Sequence, residues 1–300
     1  LNNKIFKPKL GTAIMKLYKT SSGIILNSKG LFYMFKQDWD LLINRNHLHD
    51  YLQKISHQAY QLSMDEAYKL LEDEIMPPVG RQEVWAAGVT YLRSRDARME
   101  ESQQSGGASL YDRIYEAERP ELFFKSLPHR VAGQKQDVYI RRDSSWNVPE
   151  PELTLFINSE GEIQGYTVGN DMSSRSIEGD NALYLPQAKI YERSTALGPS
   201  LYIPKAPIDS GTIIRMIIKR DGIIIYDDSI SINKMKRQFT ELAAYLYREC
   251  DFNYGCYLMT GTCLVPPDGF TLQEEDIIEI NIDAIGTLLN RVKFNPLKQN

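Results

Sequence analysis

"NVPEPELTLFIN", residues 147–158, decides how this chain is read. From Leu153 onwards it has the composition of a buried strand, yet it opens on two glutamates, Glu150 and Glu152, one residue apart. A strand sends successive side chains to opposite faces, so these two leave by the same face with their carboxylates roughly 7 Å or less apart. Like charges at that spacing stay in water, share a proton or hold a cation between them. An isolated E-x-E is most simply a solvated strand end, so the choice falls to the rest of the chain.

With 300 residues, 42% of them hydrophobic and 25% charged, the composition is that of a globular protein with room for one sizeable domain and a smaller one. A net charge of −4 offers no basic footprint, which argues against nucleic acid and against anionic membrane surfaces as partners. No run approaches the roughly 20 apolar residues that cross a bilayer, and no secretory signal pattern opens the chain, so the expected location is the cytoplasm. The three cysteines, Cys250, Cys256 and Cys263, match no zinc or redox spacing and read as buried thiols. Histidine is limited to His47, His49, His57 and His129, whereas acids are plentiful. A metal in this chain is therefore expected to be a hard, oxygen-liganded cation, Mg²⁺ first, with Mn²⁺ or Ca²⁺ as alternatives, rather than zinc.

Residues 1–14 carry no periodicity and read as an extension. "MKLYKTSSGIILNSKGLFYMF", from Met15, gives three short strands separated by Ser/Gly and Lys-Gly turns. "HLHDYLQKISHQ" reads as a helix, and Ser63 with Glu66 forms a capping box ahead of another. Pro77, Pro78 and Gly80 then mark the boundary between a small antiparallel unit, 15–79, and a main domain, 80–300. In the latter, "EVWAAGVTY", "ELFFKS", "DVYIRR", "ELTLFIN" and "IQGYTVGNDMS" read as strands, and Asp221-Gly222 between apolar runs signals a hairpin. Met235, Phe239, Leu242, Ala243, Leu246 and Cys250 fit one helix face. The fold class is α+β and β-rich, with peripheral helices.

Two further residues alter the odds on the glutamates. Asp171 follows a strand in "VGNDMSSR", and Lys189 lies in the apolar-bounded "LYLPQAKIYERS". Three carboxylates can hold Mg²⁺ on one side and leave the other to substrate, and a lysine beside that cation has its pKa lowered and can serve as a base. Taken singly, Asp171 is a turn residue and Lys189 a surface lysine.

"AAGVTYLRSR", "ELFFKS", "PEPELTLFIN", "VGNDMSSR", "LPQAKIYERSTALGP" and "MTGTCLVPP" occur together and in this order, and with them the sequence resembles the fumarylacetoacetate hydrolase superfamily over roughly residues 80 to 290. The resemblance implies a mixed β-sheet roll and a homodimer or homotetramer. It also implies Glu150, Glu152 and Asp171 as metal ligands, with Lys189 in the catalytic core. Hydrolases of that superfamily carry a histidine just after the G-x-x-Y motif. Here that motif is "GVTYLRSRDARMEES", Ser94 stands at the expected place, and no histidine occurs from 58 to 128. Cleaving a carbon–carbon bond with water needs such a base. Arg93 and its neighbours make the segment basic instead, which suits an acidic substrate, and Arg93 and Ser94 are taken as substrate-binding candidates.

Within the superfamily, "RPELFFKS" and "VGNDMSSRSIEGDNALYLPQAKIY" are most similar to the sugar-acid dehydratase branch. That similarity implies Glu121 as a catalytic acid or base and Thr262 as a contact to the substrate carboxylate. The implied activity is Mg²⁺-dependent loss of water from a 2-keto-3-deoxy-pentonate, giving 2,5-dioxopentanoate. The rival on the same scaffold is an acylpyruvate hydrolase or oxaloacetate decarboxylase, which shares an enolate. A non-catalytic cation- or sugar-acid-binding module is the rival of another class, and Lys189 speaks against it because an ammonium competes with a structural ion.

Overall fold

Residues Pro151–Ile157 form a strand in which every residue is buried, because the sheet it belongs to is covered on both faces. In the computed structural model, which describes residues 14–92, 113–267 and 269–298, Leu153, Leu155 and Ile157 of this strand enter one core and Phe156 enters another. The expected extension 1–14 therefore lies outside the described residues except for Ile14, and Arg93 and Ser94 lie outside them altogether.

The strands of three or more residues among the described ones are β1 (Met15–Thr20), β2 (Gly23–Ser28), β3 (Leu31–Phe35), β4 (Tyr60–Leu62), β5 (Glu83–Gly88), β6 (Glu121–Ser126), β7 (Asp137–Ile140), β8 (Pro151–Ile157), β9 (Ile163–Asp171), β10 (Thr195–Tyr202), β11 (Ile213–Arg220), β12 (Ile223–Ser231), β13 (Cys256–Met259), β14 (Ile277–Ile282) and β15 (Gly286–Phe294). The main sheet runs β4-β3-β2-β1-β10-β9-β8-β13-β5-β6. A second sheet runs β12-β11-β14-β15-β7 and packs over it. Its strands alternate as a half-buried strand must: Ile214, Met216 and Ile218 of β11 and Ile278, Ile280 and Ile282 of β14 all point into the core between the sheets.

The far face of the main sheet is covered by α1 (Trp39–Ile43) and α2 (Leu48–Ser56), which bury Trp39, Leu42, Ile43, Leu48 and Leu52 against Leu17, Leu197, Leu201 and Met259. Strand β1 pairs with β10, Leu17 opposite Leu201, so the three N-terminal strands continue the main sheet. The Pro77–Gly80 boundary falls in the loop before β5, while the sheet and the second core run across it. The capping box forms as read: Ser63 accepts from the Glu66 N–H and the Glu66 carboxylate takes the Ser63 N–H, opening α3 (Met64–Asp73).

The Asp221-Gly222 hairpin forms with both residues at positive φ, 51° and 79°, as a tight turn matched to the strand twist requires. The helix expected around Phe239 is α6 (Phe239–Tyr247), with Leu242, Ala243 and Leu246 buried. Cys256 and Cys263 are buried, but Cys250 is exposed, which corrects its reading as a buried thiol. The helix ends at Tyr247, so Cys250 leaves the apolar face that the 3.6-residue period had extended to it. No helix among the described residues is long and apolar enough to cross a membrane.

Candidate active site

The acids converge because β8 and β9 pair antiparallel. Glu152 stands opposite Gly169, Pro151 opposite Asn170, and the Asp171 N–H donates to the Glu150 carbonyl at 2.9 Å. Glu150, Glu152 and Asp171 are therefore brought to one end of two adjacent strands, all buried, with ligand oxygens within 4.8 Å of one another. Lys189 is the last residue of α5 (Leu185–Lys189) and is fully buried. Its Nζ donates to Glu150 Oε2 at 2.8 Å and to Asp171 Oδ2 at 3.1 Å.

Two cations that no sequence signal had singled out complete the cluster. Lys125 on β6 is fully buried, forms an ion pair with Asp171 Oδ1 at 2.7 Å, and donates to the carbonyls of Met172, at 3.0 Å, and Lys189. Arg175 opens α4 (Arg175–Asp180); its Nη2 donates to Glu150 Oε1 at 2.9 Å and its Nε lies 3.7 Å from Glu178, which also accepts from Ser173. Lys125 is the extra residue at a bulge in β6, between Phe124 opposite Trp85 and Ser126 opposite Val84, so strand alternation does not predict its direction. Arg175 sits where strand gives way to helix, and there neither period applies.

The charges are unevenly compensated. Asp171 and Glu150 each meet two cationic side chains, whereas Glu152 accepts from the Gly261 N–H at 2.6 Å. Burial, followed by the negative charges of Asp171 and Glu150, pushes the Glu152 carboxyl well above the usual carboxylate range, and Lys189 and the Gly261 N–H only partly offset this. Burial lowers the Lys125 ammonium, against the pull of Asp171. A divalent cation among the three acids would remove the penalty on Glu152, and an all-oxygen donor set suits Mg²⁺. The residues present fit the metal.

The site opens into a narrow cavity of about 20 Å³, lined by these charges together with Ala87, Gly88, Val89 and Phe123. Thr262 lines it as well; its Oγ1 accepts from the Leu264 N–H at 3.2 Å, which leaves its own hydrogen to donate. Glu121 is half-buried at the start of β6 and lays its carboxylate against Gly88 at the cavity wall.

Residues 98–293 match the family model described as fumarylacetoacetate (FAA) hydrolase C-terminal. The chain belongs to the fumarylacetoacetate hydrolase family. A probable 2-keto-3-deoxyxylonate dehydratase of Haloferax volcanii is 47% identical over 216 residues, covering 72% of this chain and 73% of that protein. The 2-dehydro-3-deoxy-D-arabinonate dehydratase of Saccharolobus solfataricus is 37% identical over 235 residues, covering 77% and 78%. Among solved structures, a 2-keto-3-deoxy-D-arabinonate dehydratase complexed with magnesium and 2,5-dioxopentanoate superposes with a TM-score of 0.77 at 31% identity, over 94% of this chain and 99% of that one. The strand-rich family fold expected from the motifs is the fold observed.

A carboxyl whose pKa is raised by folding holds its proton where the unfolded chain has lost it. Its contribution to stability is present below the unfolded value near 4.5 and is lost as pH rises through the raised one. The metal-free protein should therefore melt at falling temperature as pH climbs above the usual carboxylate range. Mg²⁺ should raise the melting temperature by an amount that grows over the same window. Calorimetry in EDTA and in Mg²⁺ checks this, and a Mg²⁺ shift that is flat or shrinks with pH contradicts it.

Proposed function

We propose that the chain is a Mg²⁺-dependent hydro-lyase that removes water from a 2-keto-3-deoxy-pentonate to give 2,5-dioxopentanoate. The observation that carries this is a buried three-carboxylate site with Lys189 in one cavity, whose lining residue Gly88 has the Glu121 carboxyl packed against it, in a chain 47% identical to a dehydratase over most of its length. The relatives support dehydration over the hydrolase or decarboxylase alternative.

Bound at Glu150, Glu152 and Asp171, the cation would withdraw electrons from the C2 carbonyl of a 2-oxo acid and acidify its C3 hydrogens. The protein supplies the remainder. Lys189, beside the three acids, takes a C3 proton. Glu121, packed against Gly88 of the cavity lining, gives a proton to the C4 hydroxyl, the C4–O bond breaks, and water departs. A C3–C4 double bond forms, and the resulting enone with its C5 hydroxyl tautomerises to the aldehyde. Thr262 and Arg175, both lining the cavity, would receive substrate oxygens, and Ala87, Val89 and Phe123 would limit bulk water there. Arg93 and Ser94, outside the described residues, are proposed as substrate-binding because the basic segment they belong to suits an acidic substrate.

Lys189→Met keeps most of the side-chain volume and should lower turnover at least about 10²-fold. Glu121→Gln should still exchange substrate C3 hydrogens with heavy water while expelling the C4 hydroxyl slowly. Mass analysis of 2-keto-3-deoxy-pentonate incubated with protein and Mg²⁺ should show loss of water. Unchanged turnover in Lys189→Met would contradict the role given to the lysine. Loss of exchange in Glu121→Gln with exchange kept in Lys189→Met would reverse the two roles.

Family resemblance also supports a homodimer or homotetramer. Ile223, Ile224 and Ile225, 68%, 54% and 39% exposed on the edge strand β12, supply apolar surface for a second copy. Light scattering should give at least twice the mass of one chain; a monomer at micromolar concentration contradicts this.

A further inference from the structure

Strand β5 pairs antiparallel with β6, and in that register Gly88 stands directly opposite Glu121. Cross-strand partners leave by the same face, so whatever side chain residue 88 carried would share space with the glutamate. A Cβ built on Gly88 would stand 2.1 Å from Glu121 Oε2, 2.6 Å from its Cδ and 3.2 Å from Oε1. All three nearest atoms belong to the one carboxyl group. Gly88 is absent from the residues with positive φ, so its backbone is one that alanine adopts without strain. What a side chain at 88 would displace is thus the carboxylate lying on it.

The position of that carboxylate also matters. Gly88 and Val89 line the cavity, as does Phe123, the next residue along β6 on the glutamate's face. The Glu121 carboxylate packs on Gly88, which lines the same cavity as the charged cluster. We propose that Gly88 is a positioning residue for Glu121: the space left by its missing side chain is the seat that holds the acid at the C4 end of the substrate. This rests on the dehydratase reading. A general acid displaced by about 1 Å loses on the order of 10²-fold in rate, and one methyl group at 88 displaces this one.

The test is a double-mutant cycle on 2-keto-3-deoxy-pentonate with Mg²⁺, reading dehydration, C3–hydrogen exchange in heavy water, Mg²⁺ affinity by calorimetry, and melting temperature. Gly88→Ala should reproduce Glu121→Gln in both dehydration, about 10²-fold slower, and exchange, with Mg²⁺ affinity unchanged. In a Glu121→Ala background, where the obstructing carboxyl is gone, adding Gly88→Ala should change neither the residual dehydration nor the melting temperature. If Gly88→Ala alone fails to fold, the pair Gly88→Ala/Glu121→Ala must melt like Glu121→Ala. A pair that is still unfolded, or a further loss of dehydration in the pair, overturns the seat, because residue 88 would then matter for something other than Glu121. Full turnover in Glu121→Gln would instead defeat the role given to the glutamate. Slow Glu121→Gln with undiminished Gly88→Ala defeats the seat alone.

Discussion

The structure turns on the pairing of β8 with β9, which places three carboxylates together out of water. Burying like charges is costly, and the chain offsets that cost with cations from three separate elements: Lys125 from β6, Arg175 from the start of α4 and Lys189 from the end of α5. Asp171 is the hinge of the arrangement, with Lys125 on one oxygen and Lys189 on the other. Lys125 also holds the carbonyls of Met172 and Lys189, so one ammonium ties the backbone after Asp171 to the end of α5. Glu152, with a backbone N–H as its partner, is left for the ion to satisfy.

The two cores have different tasks. The layer between the sheets is alternating aliphatic packing, and it makes the central strands stiff. The far face of the main sheet holds apolar packing under α1 and α2 and also carries the acids, at the end of β8 and β9. The acids therefore project from buried strands, where their directions are set by register, as a site needing close placement requires.

Much of this is legible in the residues. Glu150, Glu152, Asp171 and Lys189 are brought together as their motifs imply, and strands β1–β3, β5–β9, β11 and β12 and the Asp221-Gly222 turn follow from period and turn chemistry, whereas β4, β10, β13, β14 and β15 do not. Two kinds of feature escape. One is the long-range partner: nothing local in "ELFFKS" says that Lys125 meets Asp171, since that contact exists only once β6 and α5 close on the strand pair. The other is the end of an element. Cys250 keeps the helical period of α6 but lies beyond Tyr247, where the helix has stopped. The seat at Gly88 escapes for the first reason, because cross-strand register is a tertiary fact.

Everything proposed for the chemistry requires a single divalent cation held by Glu150, Glu152 and Asp171. The most direct measurement is anomalous diffraction from crystals of the protein grown with Mn²⁺ in place of Mg²⁺. The account predicts one anomalous peak among the three carboxylates, with Lys125 still on Asp171. No peak there, or a peak elsewhere with the three side chains unmoved, would contradict it.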